Sequence, residues 1–332
     1  MKILLTGGTG FIGSHTAVAM AQSGHEVILF DNFCNSDCSV LDRLQSILGF
    51  RLAFEEGDIR DEKRLKEVLQ TYRPEAVVHF AGLKAVGESV QKPLEYYDNN
   101  ICGTVTLLRA MQQTGIKKII FSSSATVYGT PQYLPLDEGH PLSVTNPYGR
   151  TKLQIEEILS DLCASDPQWS AICLRYFNPI GAHESGLIGE NPRGIPNNLL
   201  PYVARVAAGQ LQAVQVFGND YDTPDGTGVR DYIHVMDLAD GHVRAAQYSQ
   251  THRGWIAINL GTGVGYSVLD IIHAYEKACG HPIAYRITER RPGDVASNWA
   301  NPQRAFELLG WKARYTLEDM CRDSWRFQQN CR

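Results

Sequence analysis

Gly7-Gly8-Thr9-Gly10-Phe11-Ile12-Gly13 is the stretch whose reading decides the fold. It follows a short run with an apolar centre, Lys2–Thr6, that reads as a buried strand. An amphipathic run to Gly24 and a second strand-like run, Glu26–Phe30, come after it. Strand, glycine turn, helix and strand within roughly thirty residues is the setting in which such glycines hold a dinucleotide. Gly7 and Gly8 allow a tight turn, Gly10 lets a pyrophosphate approach the backbone, and Gly13 lets helix and strand pack closely. The phosphates would lie on the amides of the helix N-terminus. Asp31 ends the second strand, where a carboxylate holds both ribose hydroxyls and repels a 2′-phosphate, so NAD is expected rather than NADP.

Three further strand ends extend the pattern. Leu52–Glu56 leads to Gly57-Asp58-Ile59, Ala76–Phe80 to Ala81-Gly82-Leu83-Lys84, and Lys117–Phe121 to Ser122-Ser123-Ser124-Ala125-Thr126. A sixth strand, Ser170–Tyr176, ends at Phe177-Asn178-Pro179. The expected fold class is therefore α/β, a Rossmann-type doubly wound parallel sheet, with ligands at the carboxyl ends of its strands. Asp58 then falls on the adenine side, Lys84 toward the phosphates or nicotinamide, and Ser124 within reach of a substrate hydroxyl. Asn99 and Asn100 lie on a helix beginning near Pro93. Another helix opens at Pro147, with Ile155, Ile158, Leu159 and Leu162 as its apolar stripe. Tyr148 and Lys152 stand one turn apart on it. An ammonium about 4 Å from a phenol favours the phenolate by roughly 4 kcal/mol at an effective dielectric of ~20, which would bring a tyrosine toward neutrality as a general base.

Past Pro179 the alternation loosens, and Gly181–Pro196 is rich in Gly and Pro. A boundary is expected near residue 180, giving a dinucleotide-binding unit (1–180) and a smaller mixed α/β substrate unit (181–332), with segments near 230–240 returning to the first. Asn197-Asn198 caps a helix to about Ala208, and Val214–Phe217 is a short strand. Arg230 and the loop Arg290-Arg291-Pro292-Gly293-Asp294 put two arginines on separate segments, an arrangement suited to clamping a diphosphate. A second glycine run, Gly261-Thr262-Gly263-Val264-Gly265, reads as a tight connection to a helix capped by Ser267, not as a phosphate loop. The net charge of −5 offers no basic stripe for nucleic acid. Eight cysteines without a Cys-x-x-Cys read as reduced packing residues of a cytoplasmic protein, with no metal site. No apolar run approaches the ~18 residues of a membrane span.

Gly7-x-x-Gly10-x-x-Gly13, His79-Phe80-Ala81-Gly82, Ser122-Ser123-Ser124 and Tyr148-x-x-x-Lys152 together resemble the extended short-chain dehydrogenase/reductases. Three longer runs, Phe80–Ser89, Arg175–Pro179 and Gly228–Val235, resemble the UDP-glucose 4-epimerases within them, and the likeness extends from about residue 1 to 325. The resemblance implies NAD held tightly and not consumed, and a UDP-sugar whose 4-hydroxyl loses its proton to Tyr148. It implies that Lys152 lowers the Tyr148 pKa and holds ribose hydroxyls, and that Ser124 bridges sugar and phenol. The cofactor residues it implies are Gly7, Gly10, Phe11, Ile12, Gly13, Asp31, Asn32, Asn35, Ser36, Asp58, Ile59, Phe80, Ala81, Gly82, Lys84, Asn99, Ser124, Tyr148, Lys152 and Phe177. For the sugar nucleotide they are Lys84, Ser124, Asn178, Asn198, Leu199, Phe217, Arg230, Arg291, Asp294 and Asn298. A homodimer through the helices near 93–115 and 147–162 is implied as well.

Phe11 stands where many relatives have Tyr. Sister dehydratases carry Thr-Asp-Glu where this chain has Ser124-Ala125-Thr126, so the acid pair for dehydration is missing. Asn298 stands where many epimerases restricted to glucose and galactose carry a tyrosine, which predicts room for a 2-acetamido group. The rivals left open are a UDP-glucuronate decarboxylase or epimerase, an NADP-dependent sugar reductase, which Asp31 disfavours, and a non-catalytic NAD-sensing protein.

Overall fold

The structure, a computed structural model, describes residues 1–291 and 293–331; Pro292 of the cationic loop lies outside them. Its strands are β1 (Lys2–Thr6), β2 (Glu26–Asp31), β3 (Ala53–Glu56), β4 (Ala76–His79), β5 (Lys118–Ser124), β6 (Ser170–Tyr176), β7 (Asn178–Ile180), β8 (Val214–Phe217), β9 (Val229–His234), β10 (Gly254–Leu260), β11 (Gly265–Ser267), β12 (Tyr285–Thr288) and β13 (Ser297–Asn298). Seven of them form one parallel sheet in the order β10-β6-β5-β4-β1-β2-β3. Helices cover both faces, so its inner strands are unbroken buried runs: every residue of β4 and β6 is buried. The order reverses between β1 and β4, and a crevice opens there at the carboxyl ends.

The large sheet is not confined to the first half of the chain. β10 pairs with β6 from Gly254↔Ser170 to Leu260↔Tyr176, and the helix Val235–Tyr248 packs on the helix Phe11–Gln22. The chain thus leaves the sheet after β6 and comes back to its edge. The strands before and after that return, β7–β9 and β11–β13, build a second sheet, in which β9 pairs with β7, β11 and β13, and a two-stranded one, β8 with β12. A separate core, including Leu200, Val203, Ile271, Ile272, Tyr275 and Met320, packs the helices around them.

The helix expected from Pro93 is interrupted. Pro93–Tyr96 and Gly103–Thr114 are α-helical, but Tyr97–Cys102 is a π-turn. That turn aims Asn100 inward, where its Oδ1 accepts from Leu83 N at 2.8 Å and its Nδ2 donates to Leu83 O and Thr151 Oγ1.

The helix Pro147–Ser165 begins with Pro at its first position and Asn146 as cap, whose Oδ1 accepts from Gly149 N at 2.8 Å. Its buried face continues past Tyr148 and Lys152 to Glu156. Glu156 takes Arg175 of β6 bidentately, Nε at 3.0 Å and Nη2 at 2.6 Å, and also accepts from Ser123 Oγ of β5. Arg175 Nη1 donates to Tyr128 Oη at 3.0 Å, and Tyr128 donates to Asn259 of β10 at 2.6 Å. Both charges are essentially out of solvent, at 1% and 2% exposure. Removing one partner of such a pair strands the other. Glu156→Leu should lower unfolding stability by about 3–5 kcal/mol in a denaturant titration, and Glu156→Leu with Arg175→Met should recover most of the loss.

Candidate active site

The crevice is built from the glycine turn upward. A Cβ on Gly13 would sit 2.2 Å from Gly7 O, and one on Gly7 would sit 2.6 Å from Ala81 N. The absence of those side chains lets the first helical turn close on β1 and lets β1 and β4 meet. Gly10 caps the helix with extended backbone and no side-chain bond, so the amides at this N-terminus face the crevice without a built-in acceptor. Asp31 Oδ2 accepts from Thr9 N at 3.0 Å and Oδ1 from Phe33 N at 2.9 Å, which fixes the carboxylate beside the turn. A cradle that a methyl group would fill, bordered by a buried carboxylate at the second strand end, fits a dinucleotide with free ribose hydroxyls.

Around it lie the other expected cofactor residues. Asn32 Nδ2 donates to Asp58 Oδ2 at 3.0 Å, and Arg60 binds both oxygens of Asp58, lowering its pKa to about 2. Ser36 Oγ meets Thr9 Oγ1 at 2.7 Å, and Asn35 lies exposed beside it. The Ile59 side chain is packed in the core under Gly103, and Ile12 packs against the core from its helix. Phe11 stacks edge-on to His15, and Phe80 lies 4.8 Å from the His242 ring. Asn99 donates to Asn100 Oδ1 beside Gly82, and Phe177 is buried with Ala125 and Tyr128.

Tyr148, Lys152 and Ser124 converge where β5 meets the helix Pro147–Ser165. Lys152 donates to Ser122 O at 2.5 Å, and its Nζ lies 5.8 Å from the Tyr148 ring centroid. The spacing predicts an ammonium that eases phenol ionisation; here the Ser122 carbonyl draws it into the sheet instead. Burial dominates both groups. It raises the Tyr148 pKa to about 12, with the Ser124 hydroxyl lowering it, and it lowers Lys152 to about 8, against Cys173 and Glu156. Ser124 Oγ accepts from Thr126 N at 3.2 Å and Thr126 Oγ1 at 3.0 Å. With both lone pairs engaged, its own proton is left to donate, toward a phenolate or a substrate oxygen.

On the substrate side, Arg230 and Arg291 approach the same carboxylate, Asp294, at 4.0 and 3.4 Å, and the Arg291 guanidinium lies 4.6 Å from the Phe217 ring centroid. The structure thus assembles the two arginines, Asp294 and Phe217 from three segments. Asn178 Nδ2 donates to Asp231 O, and Leu199 opens the helix Leu199–Ala207 after Asn198, which caps it by backbone alone. Lys84 and Asn198 share one acceptor, Glu190 Oε1, at 3.0 and 2.8 Å. Asn298 pairs with Arg230 in β13–β9, and its buried Oδ1 has no hydrogen-bond partner among the described residues. Among the described residues no cluster of His, Cys, Asp or Glu suits a metal ion.

Sequence reasoning passed over four residues. Glu156 and Arg175 were detectable as charges inside otherwise apolar patterns, and so was Asp231. The Asp231 carboxylate is wholly buried and accepts from Thr262 N, Thr262 Oγ1, Gly263 N and Ala300 N at 2.6–3.1 Å. The second glycine run therefore cradles an anion, but one supplied by the chain itself. Glu190 gives no local signal, since its partner Lys84 lies 106 residues away.

Fold and site together define a Rossmann-type dinucleotide-binding protein with a Tyr–Lys helix at the crevice. A family model described as GDP-mannose 4,6 dehydratase matches residues 4–324. A Bacillus subtilis UDP-glucose 4-epimerase is 56% identical over 99% of this chain and 97% of its own length. The crystal structure of a UDP-glucose 4-epimerase from Stenotrophomonas maltophila, with NAD and formylated UDP-arabinopyranose, superposes with a TM-score of 0.98 at 51% identity, covering 100% of this chain and 98% of that one. That from Bifidobacterium longum, with NAD+ and UDP, gives 0.96 at 54%, covering 99% and 98%. The chain belongs to the UDP-glucose 4-epimerase family.

Burial makes a thermodynamic demand at Lys152. Its folded pKa, about 8, lies below its ordinary 10.5, so holding the ammonium inside the fold at pH 7 costs about 3 kcal/mol. That cost is full below pH 8 and relieved as the pH rises toward 10.5. Lys152→Met should melt higher than the parent at pH 7, with the gap narrowing toward pH 10. A variant that melts lower at both pH values would contradict the buried-charge account.

Proposed function

We propose that this chain is an isomerase that interconverts UDP-glucose and UDP-galactose through a transient 4-keto sugar, using bound NAD. The observation that carries the reading is the meeting of Tyr148 and Ser124 at the carboxyl end of β5, with no carboxylate at positions 125 and 126. When bound, NAD supplies the hydride acceptor, and then the donor, at sugar C4. Tyr148 takes the proton of the 4-hydroxyl and returns it once the sugar has turned. Ser124, its acceptor capacity used by Thr126, donates toward the oxygen that carries the developing charge. Lys152 brings a buried positive charge next to this pair. Arg230 and Arg291 exchange their shared Asp294 for the substrate diphosphate, with Leu199 and Phe217 around the uridine end and Lys84, Asn178 and Asn198 toward the sugar. Ala125 is buried and Thr126 points its hydroxyl at Ser124, so nothing at those positions protonates a leaving hydroxyl, as a dehydratase must.

In this reading the strands of the large sheet, β10 included, hold the cofactor, and the segments around β9 and the smaller sheets hold the sugar nucleotide. A homodimer is part of it: Leu94, 82% exposed, lies on the first of the helices that would form its seam, and Val90, 62% exposed, lies just before it. A cytoplasmic setting agrees with eight free cysteines. No helix among the described residues is long and apolar enough to cross a membrane.

Tyr148→Phe should keep bound NAD and lose about 100-fold or more in turnover of UDP-galactose, read by NMR of the products. Near-parental turnover would remove Tyr148 from the mechanism.

A wider sugar range rests on Asn298. Its Oδ1 is buried without a hydrogen-bond partner among the described residues, an acceptor left for an amide N–H, and Trp299, the residue after the strand, packs toward Gly265. UDP-GlcNAc and UDP-GalNAc should therefore also be interconverted. Asn298→Tyr should depress kcat/KM for the acetylated sugars by about tenfold or more and leave the plain sugars within about threefold. No turnover of acetylated sugars by the parent would end the idea.

A further inference from the structure

Between β7 and the helix Leu199–Ala207 the chain runs as a strap across the molecule, joined to both sides of the crevice. On the substrate side, Glu190 receives Lys84 and Asn198. Three residues on, Arg193 reaches the cofactor side. Its Nη1 donates to Cys34 O at 3.1 Å, and its Nη2 donates to Phe33 O at 3.3 Å and Ser36 O at 2.7 Å. Arg205 holds the strap from behind, donating to Pro192 O and Gly194 O.

The target of Arg193 is significant because of what it adjoins. Residues 32–36 have no regular structure and directly follow Asp31, the carboxylate that the NAD reading assigns to the ribose hydroxyls. The segment is drawn onto the glycine turn by Ser36 on Thr9 and by Asp31 on Phe33 N. Phe33 adopts φ +55°, a left-handed conformation unfavourable for a bulky residue, so this shape needs outside support. A solvent-facing arginine ordinarily gives its N–H groups to water. This one places a planar fork on three main-chain carbonyls at once, supplying that support from roughly 160 residues away.

We propose that Arg193 is a latch that retains the dinucleotide: it locks residues 32–36 over the adenosine side of the crevice, so that the cofactor leaves only when the strap lifts. The proposal rests on the NAD reading above and adds the residue that sets the exit rate. Slow exit suits a cycle that returns its cofactor unchanged, because a lost NAD is a lost active site. Lysine in place of Arg193 keeps the charge and loses the fork, so it should hold the segment only in part.

The test is exchange of radiolabelled NAD from the loaded protein into an excess of unlabelled NAD, followed by rapid gel filtration, for the parent, Arg193→Lys and Arg193→Met. Arg193→Met should release label about tenfold faster or more, with Arg193→Lys between. Hydrogen exchange at the amides of 33–36 should quicken in the Met variant without any ligand, which a loss of direct cofactor contact alone would not produce. A parent that retains NAD alongside an Arg193→Met release rate within about twofold of it overturns the latch and spares the cofactor reading. A parent that binds no NAD overturns both. Since Arg193 is an exposed side chain, the variants should melt like the parent. A variant that melts well below the parent overturns the latch, because Arg193 would then be holding up the fold.

Discussion

A charge inside a protein has to be answered by another, and the pair Glu156–Arg175 imposes that condition at the centre of this structure. Apolar packing alone would hold the helix Pro147–Ser165 against the sheet at the right depth, yet it would tolerate small rotations. A bidentate contact does not. With Glu156 fixed on β6 and on Ser123 of β5, the residues four and eight positions earlier on the same stripe, Lys152 and Tyr148, are fixed in rotation too. The pair also extends through Tyr128 to Asn259, so the returning strand β10 is tied to the same helix.

The site held this way is electrostatically uneasy. Burial pushes Tyr148 up to about 12 and Lys152 down to about 8, so the two alone favour neutral phenol beside an ammonium that is easily lost. The phenolate form of Tyr148 is opposed by the same burial. Ser124 is the one neighbour aimed to offset this, because Thr126 occupies its lone pairs and leaves its proton to donate. Stability given up at such a place is a usual companion of function.

Much of this is legible in the amino-acid sequence. The glycine turn, Asp31 and the ends of β4 and β5 follow from local patterns, because a parallel sheet buries whole strands and leaves its ligand groups at their carboxyl ends. The Tyr148–Lys152 spacing placed both side chains on one helix face. What it did not place was the ammonium, which bonds the Ser122 carbonyl; a spacing fixes Cα positions but not the far end of a long side chain. The return of β10 to the sheet edge was equally hidden, since Gly254–Leu260 looks like any apolar strand and its neighbour lies some eighty residues earlier. Glu190 and Arg193 were invisible for the same reason: their meaning lies wholly in distant partners. The pair Arg230 and Arg291 lies between these cases, legible as two arginines on separate segments but not as meeting at Asp294.

The chain contains two glycine turns of one chemistry, each presenting backbone amides to negative charge. At Gly7–Gly13 the amides face an open crevice; at Gly261–Gly263 they close on the Asp231 carboxylate. The second is a socket plugged from within, and its occupant comes from a strand thirty residues upstream in sequence. Whether such a turn recruits a molecule from solution or merely fastens one strand to another is therefore decided outside the motif. A glycine cradle is free to take a ligand from solution only where no buried acid of the same chain is already seated in it.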